Sequence, residues 1–202
     1  MDFHYGPVAK AAKEGLSVLV DEYFVLDPGV ATGMNALLQG GMLYIPETGE
    51  VIRPAEGFRV FAATNPADIG AGYFGRNTQD AANQDRFWTI KMGYPAPEDE
   101  IPLVTKTLMA GMEDESVATL FAEKMVDVAN RVRKQYCGVS DAASALDITF
   151  STRSLKRWAT LFTLFDVPRP EHFALERAVT NRASSETAKA IHDIVDVVFG
   201  TT

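Results

Sequence analysis

The sequence predicts an α/β half followed by an all-helical half. The stretch 16–20 contains a short unbroken apolar run, which is typical of a strand buried on both faces of a parallel sheet. The stretch 58–64 is the second candidate for a central strand. In the later part of the chain the apolar residues recur at three- and four-residue spacing, which is typical of amphipathic helices. Prolines interrupt the chain between the two patterns, so we expect two domains, 1–94 and 95–202.

Helix start and stop signals and turn residues divide the first domain into short elements. Pro7 suits the first turn of a helix, and Gly15 suits the residue after its end. Asp27 followed by Pro28 predicts the start of a second helix. The predicted elements are a helix at 5–15, a strand at 16–20, a helix at 28–39, a hairpin at 42–45 and 51–53, a strand at 58–64 and a strand nearer the sheet edge at 87–92.

The second domain has the pattern of a helical bundle. Its helices are expected at 116–136, 152–165 and 185–199. The acidic runs 98–100 and 113–115 precede helices, where negative charge stabilises the positive end of the helix dipole, and we interpret them as structural. Aromatic residues at helical spacing are expected in the core: Phe150, Trp158, Phe162 and Phe165.

Composition excludes several classes of function. The 202 residues carry a net charge of −8, which argues against sequence-independent nucleic-acid binding. A single cysteine, Cys137, excludes an intramolecular disulfide, and the scattered histidines argue against a zinc site. No apolar run approaches the roughly 20 residues of a membrane span, and the first residues lack a signal-peptide core. We expect a cytoplasmic protein.

Polar residues follow both predicted central strands. Asp21 and Glu22 come directly after the first strand, and Asn65 ends the second. Neighbouring strand ends lie about 5 Å apart in a parallel sheet, so these side chains are expected to share one site. Such a site suits Mg²⁺ binding and the removal of a proton from water. The alternatives are a helix cap for the acid pair and an ordinary strand-ending turn for Asn65-Pro66.

The same residues resemble a family of ATPases. Val18-Leu19-Val20-Asp21-Glu22 resembles a Walker B motif, and Phe61-Ala62-Ala63-Thr64-Asn65-Pro66 resembles the sensor-1 strand of AAA+ ATPases of the MoxR-like and dynein-related branch. Further stretches resemble the CobS-type ATPase subunit of aerobic cobaltochelatase: Val51-Ile52-Arg53-Pro54, Phe58-Arg59-Val60-Phe61, Gly72-Tyr73-Phe74-Gly75 and Asn83-Gln84-Asp85-Arg86-Phe87. The resemblance implies a partial AAA+ parallel sheet with flanking helices, followed by an all-helical lid domain.

The resemblance also implies ATP and Mg²⁺ as ligands and gives roles to the polar residues at the strand ends. Asp21 would hold Mg²⁺ through water, and Glu22 would be the general base that activates the attacking water. Asn65 would orient that water against the γ-phosphate.

Three arginines take roles from the same resemblance. Arg86 would be an arginine finger that reaches the nucleotide of a neighbouring subunit, and Arg76 in the same loop is a second candidate for contacting nucleotide. Arg153 would be the sensor-2 arginine of the lid. The simpler interpretations are a surface ion pair between Arg86 and a nearby aspartate, and a helix start at Arg153 after the natural cap Thr152.

One family motif is absent from the sequence. The P-loop, Gly-x-x-x-x-Gly-Lys-Ser/Thr, does not occur in the 202 residues, and the family places it upstream of the position of Met1. We therefore expect a chain that starts in mid-domain. The resemblance further implies a homo-oligomeric ring, a hexamer, acting on chelatase-type partner subunits. The alternative is a non-hydrolysing ring or adaptor protein that keeps the fold without its phosphate site.

Overall fold

The structure is a computed structural model that describes residues 3–64, 85–136 and 146–200. The chain divides into two compact units, Met1–Lys91 and Met92–Thr202. The first unit combines strands with helices, and the described part of the second contains helices and no strand. The predicted fold class, an α/β part with a small parallel sheet and flanking helices followed by a helical part, is confirmed.

The first unit has a parallel strand pair and an antiparallel hairpin. Its elements are α1 (Pro7–Glu14), β1 (Ser17–Val20), a short 3-10 helix (Tyr23–Val25), α2 (Pro28–Leu38), β2 (Leu43–Ile45), β3 (Glu50–Ile52) and β4 (Arg59–Ala62). β1 pairs with β4 in parallel, with Val20 opposite Ala62. β2 pairs with β3 in the antiparallel sense, with Tyr44 opposite Val51. Each element predicted before residue 64 is present, with slightly different bounds.

Gly15 joins α1 to β1 where the backbone passes close to the segment before β4. Its φ of +71° lies in the left-handed region, and an added Cβ would be 2.3 Å from the backbone oxygen of Glu56. The backbone N–H of Ala55 donates to the carbonyl of Ala12 at 2.8 Å. The end of α1 and the segment before β4 are thereby held together, which fixes where β1 and β4 begin to pair.

The parallel strand pair is exposed on one face. Leu19 and Phe61 lie opposite each other in register, and 66% and 58% of their surfaces are accessible. The alternate residues of both strands are half-buried. The prediction that β1 is buried on both faces is therefore wrong for the described residues. The described part of the chain partly buries one face of the pair and leaves the other exposed.

The predicted edge strand at 87–92 is not formed. These residues are described and have no strand conformation, and Trp88, Ile90 and Met92 are exposed. A strand needs a neighbouring strand to take its backbone hydrogen bonds. The alternating sequence of 87–92 is compatible with a strand, but among the described residues no strand lies beside it to form the hydrogen bonds.

The second unit is a helical bundle with one apolar core. Its helices are α3 (Pro97–Leu108), α4 (Glu115–Tyr136), α5 (Thr152–Leu164), α6 (Pro170–Ala178), a 3-10 turn (Thr180–Arg182) and α7 (Ser185–Phe199). Phe150 and Trp158 are fully buried, and Phe162 packs against the core, as predicted. Phe165 is exposed and packs on Phe173 instead, so its assignment to the core is wrong.

Side-chain caps fix the starts of three of these helices, including α7, where the hydroxyl of Ser184 accepts from the N–H of Thr187 at 3.2 Å. Asp114 accepts hydrogen bonds from Ser116, including its backbone N–H at 2.8 Å, and these hold the pKa of Asp114 below its ordinary value. At α5 the cap is Ser151, whose hydroxyl accepts from the N–H of Ser154 at 3.1 Å. The prediction of Thr152 as the cap is wrong, because Thr152 is already the first helical residue.

No helix among the described residues is both long and apolar enough to cross a membrane.

Candidate functional site

The acid pair Asp21-Glu22 forms a turn directly after β1. The N–H of Ala63 donates to the carbonyl of Val20 at 2.9 Å, and the N–H of Tyr23 donates to the carbonyl of Ala63 at 3.0 Å. Ala63 therefore continues the pairing one residue beyond β4, and its two hydrogen bonds flank the acid pair. Since β1 and β4 are parallel, their carboxyl ends lie side by side. Ligands of α/β sheets bind beyond the carboxyl ends of the strands.

Glu22 has an unusual backbone conformation. Its φ is +52° and its ψ is +44°, and among the described residues only one other non-glycine residue has a positive φ. A left-handed conformation costs an L-residue about 1–2 kcal/mol. The N–H of Glu22 donates to Oδ1 of Asp21 at 3.0 Å, which helps hold the turn. Backbone strain of this kind is concentrated at functional sites.

The two carboxylates suit a hydrated magnesium ion. Both side chains are exposed, and Mg²⁺ is usually bound by one or two carboxylates, several waters and the phosphates of a substrate. Within the described ranges no group of three or more histidine, cysteine or acidic residues could enclose a metal. The donor set in this turn therefore fits a metal held through water, and not a site built entirely from protein ligands.

Two predicted site residues, Asn65 and Arg76, lie outside the described residues. The first described stretch ends at Thr64, one residue beyond the Ala63 that pairs with β1, and the next begins at residue 85. The meeting of Asn65 with the acid pair, and a nucleotide contact for Arg76, stay predictions.

Arg86 is held within the first unit. When the Gln39 amide oxygen faces the guanidinium, it accepts from Nε at 3.1 Å and from Nη2 at 3.2 Å. The next residue, Phe87, packs edge-on against Tyr23. Burial raises the pKa of the Tyr23 phenol, and the positive charge of Arg86 opposes that rise. The structure thus brings the Arg86 segment next to the residue that follows the acid pair.

Arg153 occupies the first turn of α5 in the second unit. It follows the cap Ser151 by two positions and is exposed. A positive side chain at a helix N-terminus opposes the helix dipole, at a cost of about 0.3–1 kcal/mol. Helix stability therefore does not explain the position of Arg153.

The residues that support the first turn of α5 were not predicted from the sequence. The helix dipole alone does not account for Glu100, because its side chain is buried and paired with Arg133. The hydroxyl of Thr152 donates to the same carboxylate, and Arg182 donates to Ser154 at 3.0 Å. The available signals were an acid on the apolar side of α3 and an arginine on the apolar side of α4. Neither signal indicates a buried ion pair until the two residues are known to meet.

Comparison with known families accounts for most of the chain. Residues 1–87 match the family model for the AAA domain (dynein-related subfamily). Residues 111–198 match the family model for the CbbQ/NirQ/NorQ C-terminal domain. These matches support a MoxR-like AAA+ ATPase. The AAA+ match covers β1, the acid pair, β4 and Arg86, and the second match covers α5 with Arg153.

Several curated proteins are similar over most of the chain. The uncharacterized protein YojN of Bacillus subtilis (strain 168) is 29% identical over 203 aligned positions, which cover 98% of this chain and 60% of YojN. An uncharacterized protein of Staphylococcus aureus (strain USA300) is 26% identical over 96% of this chain and 67% of its own length. Midasin of Giardia intestinalis is 27% identical over 78% of this chain and only 3% of its own length. This chain thus spans a part of the relatives that it matches.

Proposed function

We propose that these residues form the Walker B, sensor-1 and lid portions of an ATP-hydrolysing AAA+ module. The observation that carries the proposal is the turn Asp21-Glu22 at the carboxyl end of β1, flanked by the hydrogen bonds of Ala63. The acid pair thus lies beside the carboxyl end of β4. Asn65 follows β4 in the sequence. The strained backbone of Glu22 supports a functional role for the turn.

The proposed chemistry divides the work between the two carboxylates. Asp21 would hold Mg²⁺ through water, and Mg²⁺ would neutralise charge on the phosphates of ATP when both are bound. Glu22 would accept a proton from the attacking water, and Asn65 would orient that water. Both carboxylates are exposed at the sheet edge, so a nucleotide can reach them.

The arginines would act on the negative charge of the triphosphate. Arg86 is proposed as an arginine finger for the nucleotide of an adjacent subunit, a contribution typically worth about 10³–10⁵ in rate. Arg76 is proposed to share the nucleotide contact from the same loop. Arg153, exposed at the start of α5, is proposed to contact nucleotide bound to its own subunit. In this scheme residues 1–94 are the AAA+ core and 95–202 are the lid.

AAA+ proteins commonly assemble into rings, and we propose a homo-hexamer for this protein. The CobS-like features suggest that hydrolysis drives the remodelling of a partner such as a metal chelatase. The interaction partner would then be another protein, and neither nucleic acid nor a membrane is required.

A substitution at the proposed base tests the function. In the protein made from its complete reading frame, Glu22→Gln is expected to abolish ATP hydrolysis and to leave ATP binding intact, because the amide keeps the shape but cannot accept the proton. Glu47→Gln, at another exposed carboxylate of the same unit, is the matched control and should hydrolyse ATP at the parent rate. Hydrolysis by Glu22→Gln at the parent rate contradicts the proposed base. A parent protein that neither binds nor hydrolyses ATP supports the adaptor alternative.

A further inference from the structure

A buried ion pair joins the first turn of α3 to the last turn of α4 in the second unit. Glu100 of α3 and Arg133 of α4 are only 1% and 4% exposed. The contact is bidentate, with Nη1 donating to Oε2 at 2.6 Å and Nη2 donating to Oε1 at 2.9 Å. Nη1 also donates to Asn130 at 3.0 Å. The charges are therefore removed from water and matched in geometry.

The same ion pair holds the chain at the start of α5 from both sides of its cap. On one side, Nε of Arg133 donates to the carbonyl of Phe150 at 2.7 Å. On the other side, the hydroxyl of Thr152 donates to Oε1 of Glu100 at 2.5 Å. Phe150 and Thr152 flank the cap Ser151, and Arg153 is the next residue. Two directed hydrogen bonds thus fix the backbone immediately before Arg153.

The segment that leads into α3 joins the same network. The guanidinium of Arg133 lies over the ring of Tyr94, 4.2 Å from its centroid. The hydroxyl of Tyr94 is hydrogen-bonded to the hydroxyl of Thr149. The chain before α3 and the chain before α5 are therefore tied together through Arg133.

We infer that Glu100 and Thr152 are positioning residues for Arg153, an inference that rests on the proposed function. Replacing a buried ion pair by apolar residues of similar volume is often neutral or stabilising, so stability alone does not account for this arrangement. Charged groups and hydroxyls form directional hydrogen bonds, and here these bonds hold the first turn of α5 in one orientation. A guanidinium on a fixed backbone loses less conformational freedom when it binds phosphate.

The hydrogen bond between Thr152 and Glu100 is the link that can be removed with least damage. In the protein made from its complete reading frame, Thr152→Val deletes the hydroxyl and keeps the side-chain size. We expect the KM for ATP to rise about tenfold, the upper range for an ordinary hydrogen bond, with a much smaller change in kcat. Thr152→Ser keeps a hydroxyl and is expected to restore the parent KM. Thr160→Val is the matched control, because Thr160 lies on the same helix and its hydroxyl donates within that helix to the carbonyl of Lys156 at 3.0 Å.

A double-mutant cycle separates positioning from general stabilisation. If Thr152 acts through Arg153, Thr152→Val should change the KM little once Arg153→Ala is present. Hydrogen exchange at the Leu155 amide, which donates to Ser151, should rise in Thr152→Val and not in Thr160→Val. Additive effects in the cycle, or an unchanged KM in Thr152→Val, overturn the inference.

The two proposals fail in different ways. If the parent enzyme hydrolyses ATP and Arg153→Ala leaves its KM unchanged, the role of Arg153 is wrong and the positioning inference falls with it. If Arg153→Ala raises the KM and Thr152→Val does not, the positioning inference is overturned and the proposed function stands.

Discussion

The rings of Tyr23 and Phe87 pack edge-on, with their centroids 5.1 Å apart and their planes at 70°. Tyr23 directly follows the acid pair and Phe87 directly follows Arg86, so this contact joins the proposed catalytic turn to the proposed finger. Aromatic pairs in this geometry contribute about 0.5–1.5 kcal/mol beyond the area that they bury. The contact therefore makes the position of Arg86 dependent on the turn.

Subunit mixing tests the proposed role of Arg86. Arg86→Ala is expected to lower kcat by about 10³-fold or more, because the guanidinium no longer balances charge in the transition state. An Arg86→Ala subunit mixed with a Glu22→Gln subunit should regain activity, since some interfaces then combine an intact base with an intact finger. Steady-state ATPase assays of the mixture measure this, and the absence of any regain contradicts action across an interface.

The isolated 202-residue chain is expected to bind ATP weakly. It has no P-loop sequence to supply the backbone amides and the lysine that cradle the β- and γ-phosphates. Isothermal titration with ATP and Mg²⁺ measures the affinity, and the protein from the complete reading frame is the comparison. A micromolar Kd for the isolated chain contradicts this prediction.

Gly15→Ala is expected to lower the free energy of unfolding by about 2–4 kcal/mol. An alanine there is strained in the left-handed region and meets the oxygen of Glu56. Gly49→Ala is the control, because Gly49 has a φ of +70° with nothing within 4 Å of an added Cβ, and it should lose only about 1 kcal/mol. Urea unfolding measures both variants, and equal losses would show that the close approach at Gly15 contributes nothing.

Glu100→Gln is expected to lower the free energy of unfolding by about 3–5 kcal/mol, because it leaves Arg133 buried without its countercharge. Glu98→Gln, an exposed acid in the same helical turn, should cost less than about 0.5 kcal/mol. Burial opposes the charged form of Glu100, but the bonds from Arg133 and Thr152 outweigh it and hold the pKa of Glu100 below 4.5.

The lowered pKa of Glu100 fixes the direction of the pH dependence. Its stabilisation is fully present above pH 4.5, the ordinary value for a glutamate, and is lost as the pH falls through the lower folded pKa. The stability of the parent should therefore fall more steeply in acid than that of Glu100→Gln. Parallel pH profiles of the two proteins would contradict the assigned charge.

His192 is expected to make stability depend on pH near neutrality. It is a residue of α7, with Nδ1 2.6 Å from Nδ1 of His172 on α6 and Nε2 3.2 Å from the hydroxyl of Thr180. Burial, and then the charge of His172, lower the pKa of His192 below 6.5, against the smaller effects of nearby acids. The unfolded chain therefore binds a proton first as the pH falls below 6.5, so stability is greatest above that pH and declines below it.

A matched pair of substitutions tests that pH dependence. His192→Asn removes the titrating group, and it should flatten the change in unfolding free energy between pH 7.5 and 5.5. His4→Asn, at an exposed histidine of the first unit, should leave the change intact. An unaltered slope in His192→Asn contradicts the prediction.

The sequence by itself determined the elements whose signals are local. Asp27 accepts from the N–H of Gly29 at 2.7 Å and caps α2 as predicted. Helical periodicity gave the three predicted helices of the second unit to within a residue or two, because one apolar stripe is enough to define a buried face. The position of the acid pair directly after β1 was also predictable, since a strand and the turn that ends it are formed by adjacent residues.

The tertiary structure alone decided which distant residues meet. Glu100 and Arg133 are 33 positions apart, and no periodicity pairs an acid of one helix with an arginine of the next. The same limit applies to Thr152, whose hydroxyl donates to Glu100 on another helix, while the neighbouring Ser151 caps α5. Strand formation at 87–92 and the covering of β1 also depend on neighbours that a local pattern does not contain. Hydrogen bonds and buried faces need two partners, and the sequence of one segment specifies only one of them.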